Sequence, residues 1–121
     1  MRGIVLFAHG ARDPDWAAPF HQVRARLGAS RPECRVELAF LELMAPTLDE
    51  AIERLVADGA IAITVFPLFM AQGGHLKQDL PRILDGIRAR HARVPIGLET
   101  PIGEVPQVLE AIAAWIASRS A

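Results

Sequence analysis

The sequence lacks features that mark several large classes of protein. It has a single cysteine, Cys34, so a disulfide framework and a metal cluster held by thiolates are excluded. One unpaired thiol suits a reducing compartment, and we expect the cytoplasm. Neither sign of charge is in excess, because the formal net charge is −1. The overall balance therefore gives no reason to expect a nucleic-acid partner.

Long apolar runs are also missing, so we expect no membrane partner. No segment approaches the length that crosses a bilayer. The apolar run at residues 4–8 is too short for the core of a signal peptide, and no small-residue cleavage site follows it. What remains is a chain of 121 residues, 51% of them hydrophobic, without a low-complexity stretch or long linker. We expect a single domain over residues 1–121 with a substantial core.

Strand and helix patterns alternate four times along the chain. The predicted strands are residues 4–8, 36–41, 61–66, with an extension through 67–69, and 94–100. The residues that mark helix ends are Asp13, Pro14 and Gly28 for the first helix, Thr47 with Glu50 as a capping box and Asp58-Gly59 for the second, and Pro106 for the fourth. The third helix is expected after His75, with Pro81 in its first turn.

Apolar residues at helical spacing indicate which face of each helix should be buried. They are Trp16, Phe20, Val23 and Leu27 in the first helix, Leu48, Ile52, Leu55 and Val56 in the second, Leu80, Ile83, Leu84 and Ile87 in the third, and Val108, Leu109, Ile112 and Trp115 or Ile116 in the fourth. We also expect Met70, after the third strand, to belong to the core.

Repeated β–α units with right-handed crossovers predict an α/β fold with a parallel sheet and helices on both faces. The first and third strands are almost wholly apolar, as central parallel strands are. The second strand carries Arg35 and Glu37, and the fourth lies around Pro95 and Glu99, which suits edge positions. We therefore predict a four-stranded sheet in the order 2-1-3-4, an architecture related to that of flavodoxin.

In this order two histidines lie at the same edge of the sheet. His9 follows the first strand and His75 follows the third, so both flank the switch point where open α/β sheets bind ligands. Imidazoles bind divalent iron, cobalt, nickel and zinc, and a neutral imidazole accepts a proton near neutral pH. Two histidines do not complete a closed structural zinc site, which takes four ligands. We predict an open metal or proton-transfer site.

Residues beside the two histidines are candidates for binding a ligand. The candidates are Gly10, Gly73 and Gly74, which permit tight turns and close backbone approach, Arg12 and Lys77, which can pair with carboxylates, and Glu42, which ends the second strand at the same crevice. Solvated surface charge is the alternative for Arg12 and Lys77, and a local cap is the alternative for Glu42. We expect structural roles for His21, on a helix surface, and His91, at a helix end.

Several segments together resemble the CbiX/SirB class II chelatases. They are residues 6–14 (LFAHGARDP), 37–42 (ELAFLE), 46–51 (PTLDEA), 66–69 (FPLF), 73–75 (GGH) and 79–81 (DLP). Ala11 is a departure, since the family often has serine there. The resemblance implies a chelatase-like fold that inserts cobalt, iron or nickel into sirohydrochlorin without ATP, on routes to cobalamin, siroheme or the nickel coenzyme of methanogens. It implies that His9 and His75 are the metal-binding and catalytic pair.

The resemblance also implies partners. A chain of this length is similar to the short form of the family, which works as a homodimer around a shared cleft, and its ligands are a tetrapyrrole and a divalent metal substrate, with no permanently bound cofactor. Three alternatives remain. A carrier of metal or tetrapyrrole would have the same fold without turnover. A histidine phosphatase has arginine where this chain has Ala8. A flavodoxin-like module needs a Ser/Thr-rich phosphate loop, which is missing.

Overall fold

The computed structural model describes residues 1–120. The regular elements, in chain order, are β1 (Arg2–Ala8), α1 (Ala18–Ser30), β2 (Cys34–Phe40), α2 (Leu48–Ala57), β3 (Ala62–Pro67), α3 (Gly74–Arg90), β4 (Ile96–Leu98) and α4 (Pro106–Arg119). Short 3-10 helices at Pro14–Ala17 and Ile102–Glu104 precede α1 and α4. Within these residues, no helix is both long enough and apolar enough to cross a membrane.

The four strands form one parallel sheet in the order β2-β1-β3-β4, which confirms the predicted order. Val5 of β1 pairs with Glu37 of β2 on one side and with Val65 of β3 on the other. The predominantly apolar strands β1 and β3 are central, and β2, which carries Arg35 and Glu37, and the short strand β4 lie at the edges. The carboxyl ends of β1 and β3 therefore lie side by side.

The core consists of two apolar clusters. On one side of the sheet, α2 and α3 pack Ile52, Leu55 and Leu84 against Val5 and Ile63. The second cluster contains the following residues of β1, β2 and the first helical segment, together with partly buried neighbours: Leu6, Val36, Leu38, Trp16, Phe20 and Leu27. Each face of the sheet is thus covered by helix, at least over its central strands.

The start of α2 is fixed by a reciprocal pair of hydrogen bonds. The Glu50 backbone N–H donates to Thr47 Oγ1 at 3.2 Å, and the Thr47 N–H donates to Glu50 Oε1 at 2.9 Å. This is the predicted capping box. The hydrogen bonds from the Thr47 backbone and side chain hold the pKa of the Glu50 carboxyl below its usual value. The segment after β2 thereby has a defined point at which it becomes helix.

The ends of α1 and α3 differ from the prediction. Gly28 lies inside α1, which continues to Ser30, and the Asp13 carboxylate caps the preceding 3-10 helix instead. Gly73 is the N-cap of α3, so His75 lies in the first turn of the helix rather than in the loop before it. Pro81 consequently lies inside α3, where its exposed ring faces solvent. The prediction that α3 begins only after His75 was therefore wrong, because Gly74 is already helical.

Several residues predicted to be buried are exposed, and most of them belong to α4. Met70 is 55% exposed, and Val23 and Ile83 also face solvent. In α4 the exposed residues are Leu109, Ile112, Trp115 and Ile116, and Val108 is half-buried. The reason is that α4 packs chiefly against the short helix at Ile102–Glu104 and contributes no buried residue. The helical spacing of its apolar residues correctly predicted a helix, but no other part of this chain, within residues 1–120, packs over those side chains.

Two arginines cover backbone groups on the outer strands. Arg24 Nε of α1 donates to the Val36 carbonyl of β2 at 3.1 Å. Arg88 Nε of α3 donates to the Ile96 carbonyl of β4 at 2.8 Å. Carbonyls on outer strands are otherwise open to another strand, so each arginine occupies a potential pairing position.

We expect Thr47→Ala to lower the free energy of unfolding by about 1 kcal/mol, because the Glu50 N–H loses its acceptor. Urea denaturation followed by circular dichroism measures the change. Thr100→Ala is the control, since Thr100 is exposed and outside regular structure, and its effect should stay within about 0.5 kcal/mol. Equal effects in the two variants would mean that the capping box contributes nothing.

Candidate functional site

Two backbone hydrogen bonds tie the residues that follow β2 to the end of β1 and place Glu42 beside His9. The Leu41 N–H donates to the Ala8 carbonyl at 2.9 Å, and the Glu42 N–H donates to the His9 carbonyl at 3.1 Å. The side chains then meet, with His9 Nε2 3.5 Å from Glu42 Oε1. Both side chains remain about half exposed, at 54% and 56%. An imidazole and a carboxylate are therefore presented together to solvent at the carboxyl edge of the sheet.

Gly10 is the residue that this close approach requires. It is buried and has a φ of +97°, a conformation that L side chains rarely adopt. A Cβ added there would lie 1.9 Å from the Glu42 carbonyl oxygen, which is far inside van der Waals contact. Because the obstacle is backbone, a side-chain movement cannot relieve it. Glycine at this position is thus part of what brings Glu42 to His9.

Phe69 forms the apolar wall behind His9. The two rings meet edge to face, with centroids 6.0 Å apart, and Phe7 packs on the same phenyl ring at 5.6 Å. Phe69 is 4% exposed, and the Gly103 N–H donates to its carbonyl at 3.0 Å. This contact with His9 was not predicted from the sequence. Its only signal was the apolar run after β3, which does not distinguish a core residue from one that supports a site.

His75 is exposed at the amino end of α3, next to a helix terminus without a side-chain cap. The N-cap residue is Gly73, so no N-cap side chain accepts a hydrogen bond from the first amides of the helix. Lys77 is exposed in the same first turn. First-turn amides and a lysine together create a positive potential that favours anions. A Cβ at Gly73 or Gly74 would meet nothing within 4 Å. Within this chain these two glycines leave space open rather than allow a close contact.

The charged candidates at this edge are available for a ligand. Arg12 lies two residues beyond Gly10 and is exposed, as is Lys77. Neither takes part in an ion pair within residues 1–120. Glu42, by contrast, has His9 as its partner. The structure therefore brings His9 and Glu42 into one pair, with Arg12 following His9 in the same loop.

The edge is open rather than enclosed. A cavity of about 160 Å³ lies nearby, lined by Phe7, Phe40, Leu41, Thr47, Leu48, Asp49 and Ile83. A larger cavity, of about 460 Å³, lies at the opposite edge, around Met1, Arg2 and Cys34. Across residues 1–120, no group of three potential metal ligands includes His9 or His75. A single chain therefore offers an open site with few ligands, and it does not enclose a large ligand.

A sequence model described as CbiX matches residues 3–119. The chain belongs to the CbiX family. A sirohydrochlorin cobaltochelatase of Saccharolobus islandicus (strain L.S.2.15 / Lassen #1) is 37% identical over 118 residues, which cover 87% of this chain and 90% of the relative. The sequence resemblance to the CbiX/SirB chelatases is thus confirmed.

Two solved structures share the fold of this CbiX protein. A crystal structure of a CbiX protein from Marinobacter aquaeolei VT8 superimposes with a TM-score of 0.84 at 33% identity, and the match covers 98% of this chain and 97% of that one. The sirohydrochlorin chelatase SirB from Bacillus subtilis subspecies spizizenii, in complex with cobalt, gives a TM-score of 0.79 at 27% identity. That match covers 97% of this chain but 50% of SirB, so this CbiX protein spans half of the SirB chain.

We expect Gly10→Ala to destabilise this CbiX protein by roughly 2 kcal/mol more than Gly59→Ala, because only Gly10 combines a positive φ with a backbone obstacle. Gly59 is the matched control, since its φ is +93° and nothing lies within 4 Å of an added Cβ. Urea unfolding of both variants measures the difference. Similar losses would show that the approach of Glu42 to residue 10 is not tight in solution.

Proposed function

We propose that this protein inserts a divalent metal ion, cobalt, iron or nickel, into sirohydrochlorin or a related tetrapyrrole without ATP. The observation that carries the proposal is the pairing of His9 with Glu42 at the carboxyl edge of the sheet, in a chain that belongs to the CbiX family. The metal is a substrate in this reaction, and the protein needs no permanently bound cofactor. Cobalt is the first ion to test, because the curated relatives are named cobaltochelatases.

His9 and His75 are the proposed metal ligands. Imidazole nitrogen binds first-row divalent ions well, and a site with few protein ligands releases the ion more readily than a closed four-ligand site. Release is essential, because the ion must pass to the macrocycle nitrogens. The half-exposed His9 side chain and the exposed His75 suit a site that the metal enters and leaves in each turnover.

The same imidazoles are the proposed proton acceptors. Entry of M²⁺ into the ring releases two protons from pyrrole N–H groups, and the two imidazoles, neutral and free once the ion has left them, accept one proton each. The Glu42 carboxylate, 3.5 Å from His9 Nε2, stabilises the imidazolium that forms and directs the ring. Phe69 restricts the His9 ring from behind. The chain thus holds one proton acceptor in a defined orientation.

Arg12 and Lys77 are proposed to bind the substrate carboxylates. Sirohydrochlorin carries many carboxylates, and both cations are exposed and free of ion pairs within residues 1–120. The uncapped start of α3 adds backbone N–H groups around Gly73 and Gly74. Gly10 lies two residues before Arg12, in the proposed substrate-binding loop that follows β1.

We place this reaction in the cytoplasm. The free thiol of Cys34 is compatible with that reducing compartment.

A homodimer is the proposed working form. One chain matches half of SirB, and two copies supply the equivalent length. The exposed apolar residues of α4, among them Ile112, Trp115 and Ile116, are the surface that a second copy would cover, since large apolar patches mark interaction sites. A flat macrocycle is large beside the open edge of one chain, and two facing copies enclose it better.

Anaerobic mixing of the protein with sirohydrochlorin and Co²⁺, Fe²⁺ or Ni²⁺, followed by absorption spectroscopy, tests the function. We expect metallation faster than in protein-free controls, with many turnovers per chain. In His75→Ala turnover should fall to the uncatalysed rate, while the thermal unfolding profile is preserved because His75 is exposed. His21→Ala, on the exposed face of α1, is the matched control and should retain full turnover.

Two results would overturn the proposal in different ways. Full turnover in His75→Ala would show that the assigned roles are wrong although the protein is a chelatase. Tight binding of the macrocycle without any acceleration would establish the carrier function instead.

We expect Trp115→Lys to shift the protein from dimer to monomer, because a charge replaces the most exposed apolar side chain of α4, at 67%. Light scattering after size-exclusion chromatography measures the mass, and circular dichroism checks that the helix content is unchanged. Arg119→Ala, at the end of the same helix, is the control. A wild-type protein that is monomeric at every concentration would contradict the proposed dimer.

A further inference from the structure

Three potential metal ligands come together between α2 and α3, in a group that does not include His9 or His75. Asp49 and Glu53 lie on one face of α2, four residues apart, and His91 is the C-cap residue of α3. One ligand atom from each side chain lies within 4.8 Å of the other two. We call Asp49, Glu53 and His91 the seam cluster. It combines one imidazole with two carboxylates.

Two atoms of the seam cluster are buried without a hydrogen-bond partner. They are Asp49 Oδ1 and His91 Nε2, and across residues 1–120 no other buried side-chain nitrogen or oxygen lacks a partner. Buried polar atoms are nearly always paired, since an unpaired one loses its bonds to water without replacement. That both exceptions occur in one cluster indicates a single shared partner. An ion between them would satisfy both atoms at once.

Arg90 orients the Asp49 carboxylate without occupying both oxygens. Its Nη2 lies 2.6 Å from Asp49 Oδ2, and this hydrogen bond holds the pKa of the guanidinium above its usual value. The other oxygen, Oδ1, is the one left unpaired. A hydrogen bond to the outer oxygen is how proteins commonly fix a carboxylate that binds metal through its inner oxygen. With Asp49 and Glu53 ionised, one negative charge remains after Arg90 is counted, which favours a cation.

We propose that the seam cluster binds a divalent transition-metal ion such as Zn²⁺ or Co²⁺. Asp49 Oδ1, one Glu53 oxygen and His91 Nε2 are the ligands, and water completes the coordination. One nitrogen with two carboxylate oxygens suits these ions, whereas Ca²⁺ needs six to eight oxygens. Ligand atoms on a tetrahedral zinc lie roughly 3.4 Å apart, whereas the ligand atoms of the seam cluster lie within 4.8 Å of one another. The three side chains therefore move closer together when the ion binds. Glu53 is exposed and His91 follows the last helical residue, so both can adjust.

A surface cavity borders one member of the cluster. A cavity of about 370 Å³ lies beside His91 and is lined by Val56 and residues 89–94. It gives solvent access on the His91 side of the cluster. An ion held there joins the carboxyl end of α3 to α2, while His75 lies at the other end of α3. The seam site therefore acts on the stability of the helix pair, and it differs from the site at which metal is inserted. The proposal of a seam site does not depend on the proposed chelatase activity.

Metal binding by a variant without the other two histidines tests the seam site. In the background H9A/H75A, after removal of metal by a chelator, titration calorimetry with Co²⁺ and with Zn²⁺ should detect one ion per chain. The melting temperature should rise with metal. Adding His91→Ala should abolish both effects, and adding Glu53→Gln should weaken binding by roughly tenfold or more. Adding His21→Ala, the matched control, should change neither.

Metal binding is measured here without reference to chelatase activity, and a separate experiment checks that the variants fold. Circular dichroism without metal should give the same melting temperature for H9A/H75A/E53Q and its parent, since Glu53 is exposed. Absence of binding in H9A/H75A would overturn the seam site, as would binding that survives both His91→Ala and Glu53→Gln.

Discussion

Two backbone hydrogen bonds beyond the strand ends determine the candidate site. They join Leu41 to Ala8 and Glu42 to His9, at the point where β1 and β2 end. Through them the loop after β2 is attached to the residues at the end of β1, and Glu42 is held beside His9 by backbone hydrogen bonds as well as by its side chain. Gly10 makes this possible, because any side chain there would collide with the Glu42 carbonyl. The site thus depends on two loops that are joined to each other by backbone hydrogen bonds at the carboxyl edge of the sheet.

The central sheet and the position of His9 were predictable from sequence because they follow from strong local patterns. Apolar runs separated by helix-length segments gave the order β2-β1-β3-β4, and the capping box at Thr47 appeared as expected. The start of α3 was misplaced because two consecutive glycines read as a turn, whereas Gly74 is the first helical residue. Glycine permits a loop, but it does not require one.

Tertiary information was inaccessible for a different reason. Phe69 supports His9 through a ring contact between the loops that follow β3 and β1, and an apolar run in the sequence does not predict which two rings come into contact. The seam cluster joins α2 to the residue after α3, so the spacing of residues along either helix does not predict it. For α4, helical periodicity was correct but burial was not, because periodicity reports an apolar face and not the chain that covers it. The exposed Trp115 and Ile116 are consistent with a cover from outside the chain.

The arginines on the outer strands have a consequence for assembly. A parallel sheet with bare sides is a template on which further strands can be added without limit, and that path leads to fibres. Arg24 occupies a carbonyl of β2 and Arg88 one of β4, so strand addition meets a bound guanidinium on both flanks. What stays available for association is helix surface and the carboxyl end of the sheet. Where the same helix surface of two identical chains pairs with itself, the contact closes by two-fold symmetry, so a pair formed in that way does not grow further.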